Sequence, residues 1–395
     1  MKSLLLFLCL PFTVVCQIIS PLIYADDSYP VGIVSDLTVL NNATYACQIS
    51  GDSFGACATI SLSKFNAQDS LILSNQYTTP FGSITGAFLL KMDQVIYLLA
   101  SYYNTASQNG GLFWVALSPE LELEEFQTYD LGNAYVDRMA YDFNDGMFVL
   151  GGTVASSPFE HRPFSLFLDA QMDFIGFKTN QTDAYSVESI LLFDDFYLLL
   201  GGGIWKYNME HELIASILFE SPNEIAKTKA VKLDASHFVS LRRSFIWDSG
   251  LWQLTLEKWN VELNQLNKTS LDAAMGVEDL NRYRSLGVDE TGSVLVSAHA
   301  YVNKIGFPSA EGPSALLYWK LNSGFQVSKA WSIQLKEFHY PHNAFFLENS
   351  LLIGGFMNSK KYGLSPFLFR MSTRPKLPIL ELGPLEEMDF STKIF

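Results

Sequence analysis

The segment from Leu316 to Val327, LLYWKLNSGFQV, sets an apolar run, a lone lysine and one more apolar residue before a polar turn and a second apolar run. The same frame recurs as ISLSKFN (Ile60–Asn66), GIWKYN (Gly203–Asn208), LTLEKWN (Leu254–Asn260) and FLFRMS (Phe367–Ser372). It returns without the cation as LFWVALS (Leu112–Ser118) and FSLFLD (Phe164–Asp169), which makes seven copies. Each copy follows an apolar strand that ends in small residues, at Ala100, Gly151-Gly152, Gly201 to Gly203, Ala298 and Gly354-Gly355. HFVSL ending at Leu241 and TYACQ with Cys47 take that place in two units. Successive anchors lie 40 to 57 residues apart, and most are preceded by a polar bend such as FNDG, FDD or VDETG.

The unit is therefore strand, acidic turn, strand ending in Gly or Ala, variable loop, strand with Lys or Arg, polar turn, strand. Four short strands at a period near ~50 residues predict an all-β, seven-bladed β-propeller with four-stranded antiparallel blades. Tandem immunoglobulin-like domains need roughly 100 residues per unit, and helical repeats need an apolar period of about 3.6, which these segments lack. Middle strands packed on both faces read as unbroken apolar runs, as here. Small residues let sheets approach where they crowd toward the axis. The repeated cation, Lys320 among them, is expected to lay its stem on apolar neighbours and its head in water or on a carboxylate.

This repeat resembles secreted kelch-like propellers, which carry a glycine doublet at the end of one blade strand. It lacks the regularly spaced Tyr and Trp that follow the doublet in kelch blades, and the Trp-Asp ending of WD-type blades. The resemblance covers roughly Ser35 to Gly383 and implies a fold rather than an activity.

Of the 395 residues, 48% are hydrophobic, and 30 Phe, 18 Tyr and 7 Trp supply the bulk of a β-rich core. A formal net charge of −15 argues against nucleic acid as a partner, since phosphate binding needs a basic footprint. Residues 1–16, MKSLLLFLCLPFTVVC, have the form of a secretory signal peptide cut after Cys16; a membrane anchor would need about 20 apolar residues in a row. Residues 17–34 are expected to supply a ring-closing strand beside the last blade, 35–383 the propeller and 384–395 a tail. Removal of the leader leaves Cys47 and Cys57 as a pair, expected to form a disulfide, with two free buried thiols as the alternative. Sequons at Asn42, Asn180 and Asn267 agree with export.

Function is expected on the face formed by the loops between second and third strands. Those stretches carry His161, Arg162, Arg242, Arg243, Trp247, Lys304, Lys360, Lys361 and Tyr362, a cationic and aromatic set suited to binding. A merely solvated loop surface is the alternative. Blade four has almost no such loop, because Gly201-Gly202-Gly203 runs straight into Ile204. On the inner strands Arg138 and Arg284 match in position, with Glu188 in the same layer and His339 and His342 near the start of the seventh blade. Such charges at the channel mouth suit a carboxylate or a sugar, or pair among themselves in a water-filled channel. His339 and His342 offer two metal ligands without a third. No HExxH, GxSxG, P-loop or dinucleotide motif is present, and neither cofactor nor metal is expected. The reading is an extracellular or cell-surface module for a protein or glycan, with a polysaccharide-acting hydrolase or lyase as the alternative.

Overall fold

The computed structural model describes residues 18–22 and 32–372, except for short stretches at 52–56, 68–69, 79–81, 93, 105–106, 133–134, 145, 158–159, 180–186, 220–223, 247–250, 272–278, 302–313, 336–337, 348–349 and 360–362. Within that range the chain is all β. A leading strand, β1 (Ile18–Leu22), precedes blade one, made of β2 (Gly32–Leu40), β3 (Ala43–Gly51), β4 (Cys57–Phe65) and β5 (Leu71–Thr78). Blade two is β6 (Ser83–Met92), β7 (Val95–Asn104), β8 (Asn109–Leu117) and β9 (Leu123–Asp130); blade three is β10 (Tyr135–Asn144), β11 (Met147–Ser157), β12 (Glu160–Asp169) and β13 (Phe174–Thr179). Blade four is β14 (Val187–Leu192), β15 (Phe196–Gly201), β16 (Gly203–Asn208) and β17 (Leu213–Leu218); blade five is β18 (Glu224–Asp234), β19 (His237–Ile246), β20 (Leu251–Asn260) and β21 (Gln265–Ser270). Blade six is β22 (Asp279–Val288), β23 (Val294–Tyr301), β24 (Ser314–Leu321) and β25 (Val327–Leu335), and blade seven adds β26 (Phe338–Leu347), β27 (Ser350–Ser359) and β28 (Gly363–Ser372). All seven sheets are four-stranded and antiparallel, so the protein is a seven-bladed β-propeller. The fourth strand of the seventh sheet is β1, paired antiparallel with β28 through Ser20↔Arg370 and Leu22↔Leu368. The ring is thus closed by joining the two ends of the chain in one sheet.

Blade-to-blade packing explains the small residues. A Cβ at Gly151 would lie 2.8 Å from Ile190 Cδ1 of the next blade, while within blade four one at Gly203 would lie 2.4 Å from the Ile217 carbonyl oxygen of the paired strand. The core is a series of seams in which each cluster draws on two neighbouring blades. Leu62, Leu98 and Val115 share one, for example, and Leu256, Val296 and Trp319 another.

The repeated cation ties seams together. Lys64 donates to the Pro119 carbonyl of blade two at 2.9 Å, and Lys206 to the Val261 carbonyl of blade five at 2.9 Å while lying 3.9 Å from the Phe196 ring. Arg370 reaches Thr44 Oγ1 of blade one at 3.5 Å. Lys320 instead binds Asp289 at 2.6 Å within its own blade.

The polar residue two positions after the cation caps the turn that follows. Asn208 Oδ1 accepts the Glu212 amide at 2.7 Å, Asn260 Oδ1 the Asn264 amide at 2.8 Å, and Asn322 Oδ1 the Gln326 amide at 3.0 Å. Ser118 and Asp169 act likewise. The fourth turn residue is left-handed although it is not glycine: Leu121, Met172, His211, Leu263 and Phe325 have φ between 62 and 66°. Leu121, Met172, Leu263 and Phe325 are buried there, and each sits in a seam cluster. The outermost strand of the preceding blade then bonds the same residue's carbonyl, from Tyr77, Tyr129 (3.1 Å), Lys178 (3.0 Å) and Thr269 (3.2 Å).

The disulfide expectation is corrected. Cys47 is a buried free thiol. The register sets Leu62 opposite Cys47 and Gly51 opposite Cys57. Four residues of strand, about 13 Å, therefore separate the two positions, beyond the roughly 7 Å that a disulfide tolerates between Cα atoms.

Candidate functional site on the channel and the loop face

The inner strands β2, β6, β10, β14, β18, β22 and β26 contact one another in a closed cycle and border the axis. Each has a free edge whose amides and carbonyls require partners. The preceding blade supplies several. Asp36 accepts the Leu89 amide at 2.8 Å, Asp142 the Leu192 amide at 2.8 Å, and Ser189 Oγ the Ala230 amide at 3.0 Å. Ser285 donates to the Ala344 carbonyl at 3.1 Å. Most inner strands also carry a bulge near their start, between Val34 and Asp36, Ile84 and Gly86, Val136 and Arg138, Val187 and Ser189, Leu280 and Arg284, and Pro341 and Asn343. A bulge re-aims the residue it contains.

Two ion pairs brace this wall. Lys232 lies 3.0 Å from Asp142 and donates to the Leu192 carbonyl at 2.7 Å, and Lys227 lies 3.7 Å from Glu188. Tyr141, on β10, is stacked on Phe148 at 5.7 Å and edge-on to Phe88 of blade two at 6.4 Å. Its ring is 40% exposed. Enclosure by protein pushes its phenol far above the ordinary range, and the charges of Asp36 and Asp142 add to that. A phenol held neutral at physiological pH serves as a hydrogen-bond donor, not a base. Asp36 and Asp142 each commit an oxygen to a backbone amide of the following blade, and so brace one inner strand against the next.

The sequence-derived residues distribute differently from expectation, because strands run further toward the loop face than anticipated. Arg242 and Arg243 are not loop residues; they lie within β19, opposite Thr255 and Leu254. Arg242 pairs with Glu257 at 2.9 Å and its guanidinium lies 4.8 Å from the Phe219 ring, while Arg243 is buried. The ion pair lies within blade five, and the ring contact reaches the end of blade four. His161 and Arg162 lie on β12 opposite Ala155 and Val154, and Arg162 is exposed. Arg138 and Arg284 do match: each follows the bulge of its inner strand, opposite Thr153 and Ala298. Glu188 falls inside the corresponding bulge, and Ser189 holds the matching position. His339 is opposite Met357, and His342 occupies the bulge of β26. Trp247, Lys304, Lys360, Lys361 and Tyr362 lie outside the described residues. Among the described residues no three His, Cys, Asp or Glu gather as a metal site would require.

Two sequon asparagines are exposed. Asn42 sits in the two-residue turn joining β2 and β3, where Asn41 and Asn42 both have positive φ, and Asn267 lies on the outer strand β21. Asn180 lies outside the described residues. The residues missed in sequence, Asp36, Tyr141 and Asp142, carry a faint signal: polar or phenolic side chains interrupting an inner-strand apolar run just before a hairpin turn.

No family model matches the chain, and no curated protein matches it. Among solved structures, the β-propeller domain of the trilobed protease from Pyrococcus furiosus, described as having an open velcro topology, aligns over 88% of this chain and 100% of that one, with 8% identity and a TM-score of 0.50. The cobalt-substituted apocarotenoid oxygenase of Synechocystis aligns over 62% of this chain at 10% identity and TM-score 0.41, and this chain spans 61% of that protein's length. A β-xylosidase/α-arabinofuranosidase from a compost metagenome aligns over 63% of this chain and 96% of that one, at 9% identity and TM-score 0.37. The likeness to the Pyrococcus furiosus domain concerns the fold alone: the chain is a β-propeller.

Proposed function

We propose that this chain is an exported, N-glycosylated propeller that binds a protein or glycan outside the cell or at its surface, through the loop face and the channel mouth it surrounds. The observation that carries the reading is the coupling of a leader-like N-terminus with exposed sequon asparagines at Asn42 and Asn267. The first described strand, β1, begins at Ile18, so a cut after Cys16 would leave the ring-closing strand intact. Matching arginines on two inner strands, Arg138 and Arg284, support an anionic or hydroxyl-rich ligand at the mouth. The glycine doublets at Gly151 and Gly354 support a relation to kelch-like propellers.

The test is expression in a secretory cell, followed by a glycan-array screen and mass spectrometry of captured proteins. A variant with 247–250, 302–313 and 360–362 replaced by Gly/Ser should then lose whatever ligand is found. Retention inside the cell, or binding unchanged by the loop replacement, contradicts the proposal.

A further inference from the structure

The two faces of blade one differ in chemistry. Toward blade two, β3 and β4 present Tyr45, Cys47, Ile49, Ile60 and Leu62, buried in one apolar cluster with residues of β6, β7 and β8. The alternate residues belong to the other face, because Ala46 and Phe65 pack there with Leu352 and Leu368 of blade seven. Strand alternation and register put Thr44, Gln48 and Ser50 of β3, and Thr59, Ser61 and Ser63 of β4, on that same face. All of them are buried. Ser63 bonds Ser74 at 3.0 Å within the blade, but Ser50 Oγ and Ser61 Oγ have no hydrogen-bond partner among the described residues, although these serines are only 0% and 2% exposed. A buried hydroxyl without a partner costs free energy that an apolar side chain would not. Polar groups also gather where blades four and five meet, and Thr228 Oγ1 is left over there. In that seam, however, Arg242 and Ser240 bond Glu257, and Trp259 bonds Ser240.

The links that hold blade seven to blade one are correspondingly thin. Lys64 and Lys206 each donate to the next blade at 2.9 Å, whereas Arg370 reaches Thr44 at 3.5 Å and Ser350 of its own blade at 3.3 Å. The chain enters blade one from β1, and β1 is joined to blade seven only by its pairing with β28. That pairing has a register shift after Ile18 and includes Pro21, which has no N–H to give. In every other blade the outer strand follows its neighbour directly in the chain, so a turn ties the two together.

We propose that the ring opens at this seam. β1 parts from β28 and blade seven lifts from blade one, reversibly and with the blades otherwise folded, so that water reaches Ser50 and Ser61 and the channel opens along its side. Local openings of this kind lie below the free energy of global unfolding. The test uses thiols on opposite faces of one sheet. Cys47 faces blade two, and Ser61→Cys places a thiol of similar size against blade seven. In the native full chain treated with iodoacetamide and mapped by mass spectrometry, position 61 should label at least ~10-fold faster than Cys47 of the same molecule. Ile18→Cys with Met371→Cys, opposite one another in the register, then allows β1 to be locked to β28 by oxidation. In the locked protein, labelling at position 61 should fall to the rate of Cys47. An unchanged denaturation midpoint shows that Ser61→Cys folds, and Ser50→Cys is a second reporter on the same face. Labelling at these positions no faster than at Cys47, or equally fast with and without the lock, would overturn the proposal.

Discussion

Lys320 binds Asp289, and the Asp289 carboxylate is held by more than that cation. Partial burial alone would raise its pKa; the Lys320 ammonium, the Thr291 hydroxyl and the amides of Ser293 and Thr291 outweigh it and pull the value down to about 2. A carboxylate depressed in the folded state stabilises above its unfolded pKa, near 3.8, and the contribution disappears as pH falls toward 2. Asp289→Asn keeps an oxygen for the turn and removes the charge. Its expected cost at neutral pH is about 1 kcal/mol, discounted for the exposure of the lysine, and the penalty should vanish between pH 4 and 2 in denaturant titrations. Cys47 makes the opposite case. Burial, aided by the charge of Asp36 and opposed by the Ser35 side chain, pushes its thiol up to about 12. Native protein should leave Cys47 unlabelled by iodoacetamide, and unfolding without reductant should expose it; a Cys47 that labels only after reduction would mean it is disulfide-bonded after all.

At the scale of the element, the unit that repeats is a plugged turn as much as a strand. Phe325 fills the seam between blades five and six from a left-handed backbone position, and its carbonyl is held by Thr269. Phe325→Ala empties that seam and should cost about 3–4 kcal/mol in equilibrium unfolding. In blade four the same position is His211. Its ring lies 4.8 Å from Phe167, and its Nδ1 is 3.0 Å from the Tyr197 hydroxyl, which in turn is 3.1 Å from Ser165 Oγ. Burial, and secondarily Lys178, lower its pKa, with Glu210 opposing. The unfolded chain therefore binds the proton more readily, and stability declines as pH falls below about 6.5. His211→Leu should remove that part of the slope, whereas an unchanged slope would show that His211 is not its source.

These elements also show why some features were legible in sequence and others were not. Five third strands announce themselves because a cation two residues ahead of Asn or Ser is chemically conspicuous, and the same apolar frame without the cation completes the count of seven. The plugs are not legible, although SPEL, DAQM, NMEH, NVEL and NSGF follow those strands, because a buried Leu at positive φ has no propensity signature. Arg242 and Arg243 read as loop residues because charge usually marks solvent; Glu257, on the neighbouring strand of the same blade, supplies Arg242 with a partner that no local pattern reveals. Cys47 and Cys57 looked like a pair until the register set them four residues apart.

The whole molecule behaves as a ring of seams, each shared by two blades, so no blade is stable alone and closure matters. That closure is the pairing of β1 with β28, which joins residues near the two ends of the chain. Blade seven also meets blade one through Leu352 and Leu368 packed with Leu37, Ala46 and Phe65. The most direct measurement is a crystal structure of the secreted chain, phased without reference to any propeller. Seven radial sheets, each of four antiparallel strands, with Ile18–Leu22 hydrogen-bonded along Leu368–Met371, is the predicted result. Six or eight sectors, stacked sandwiches, or a seventh sheet completed by any other strand would contradict the account.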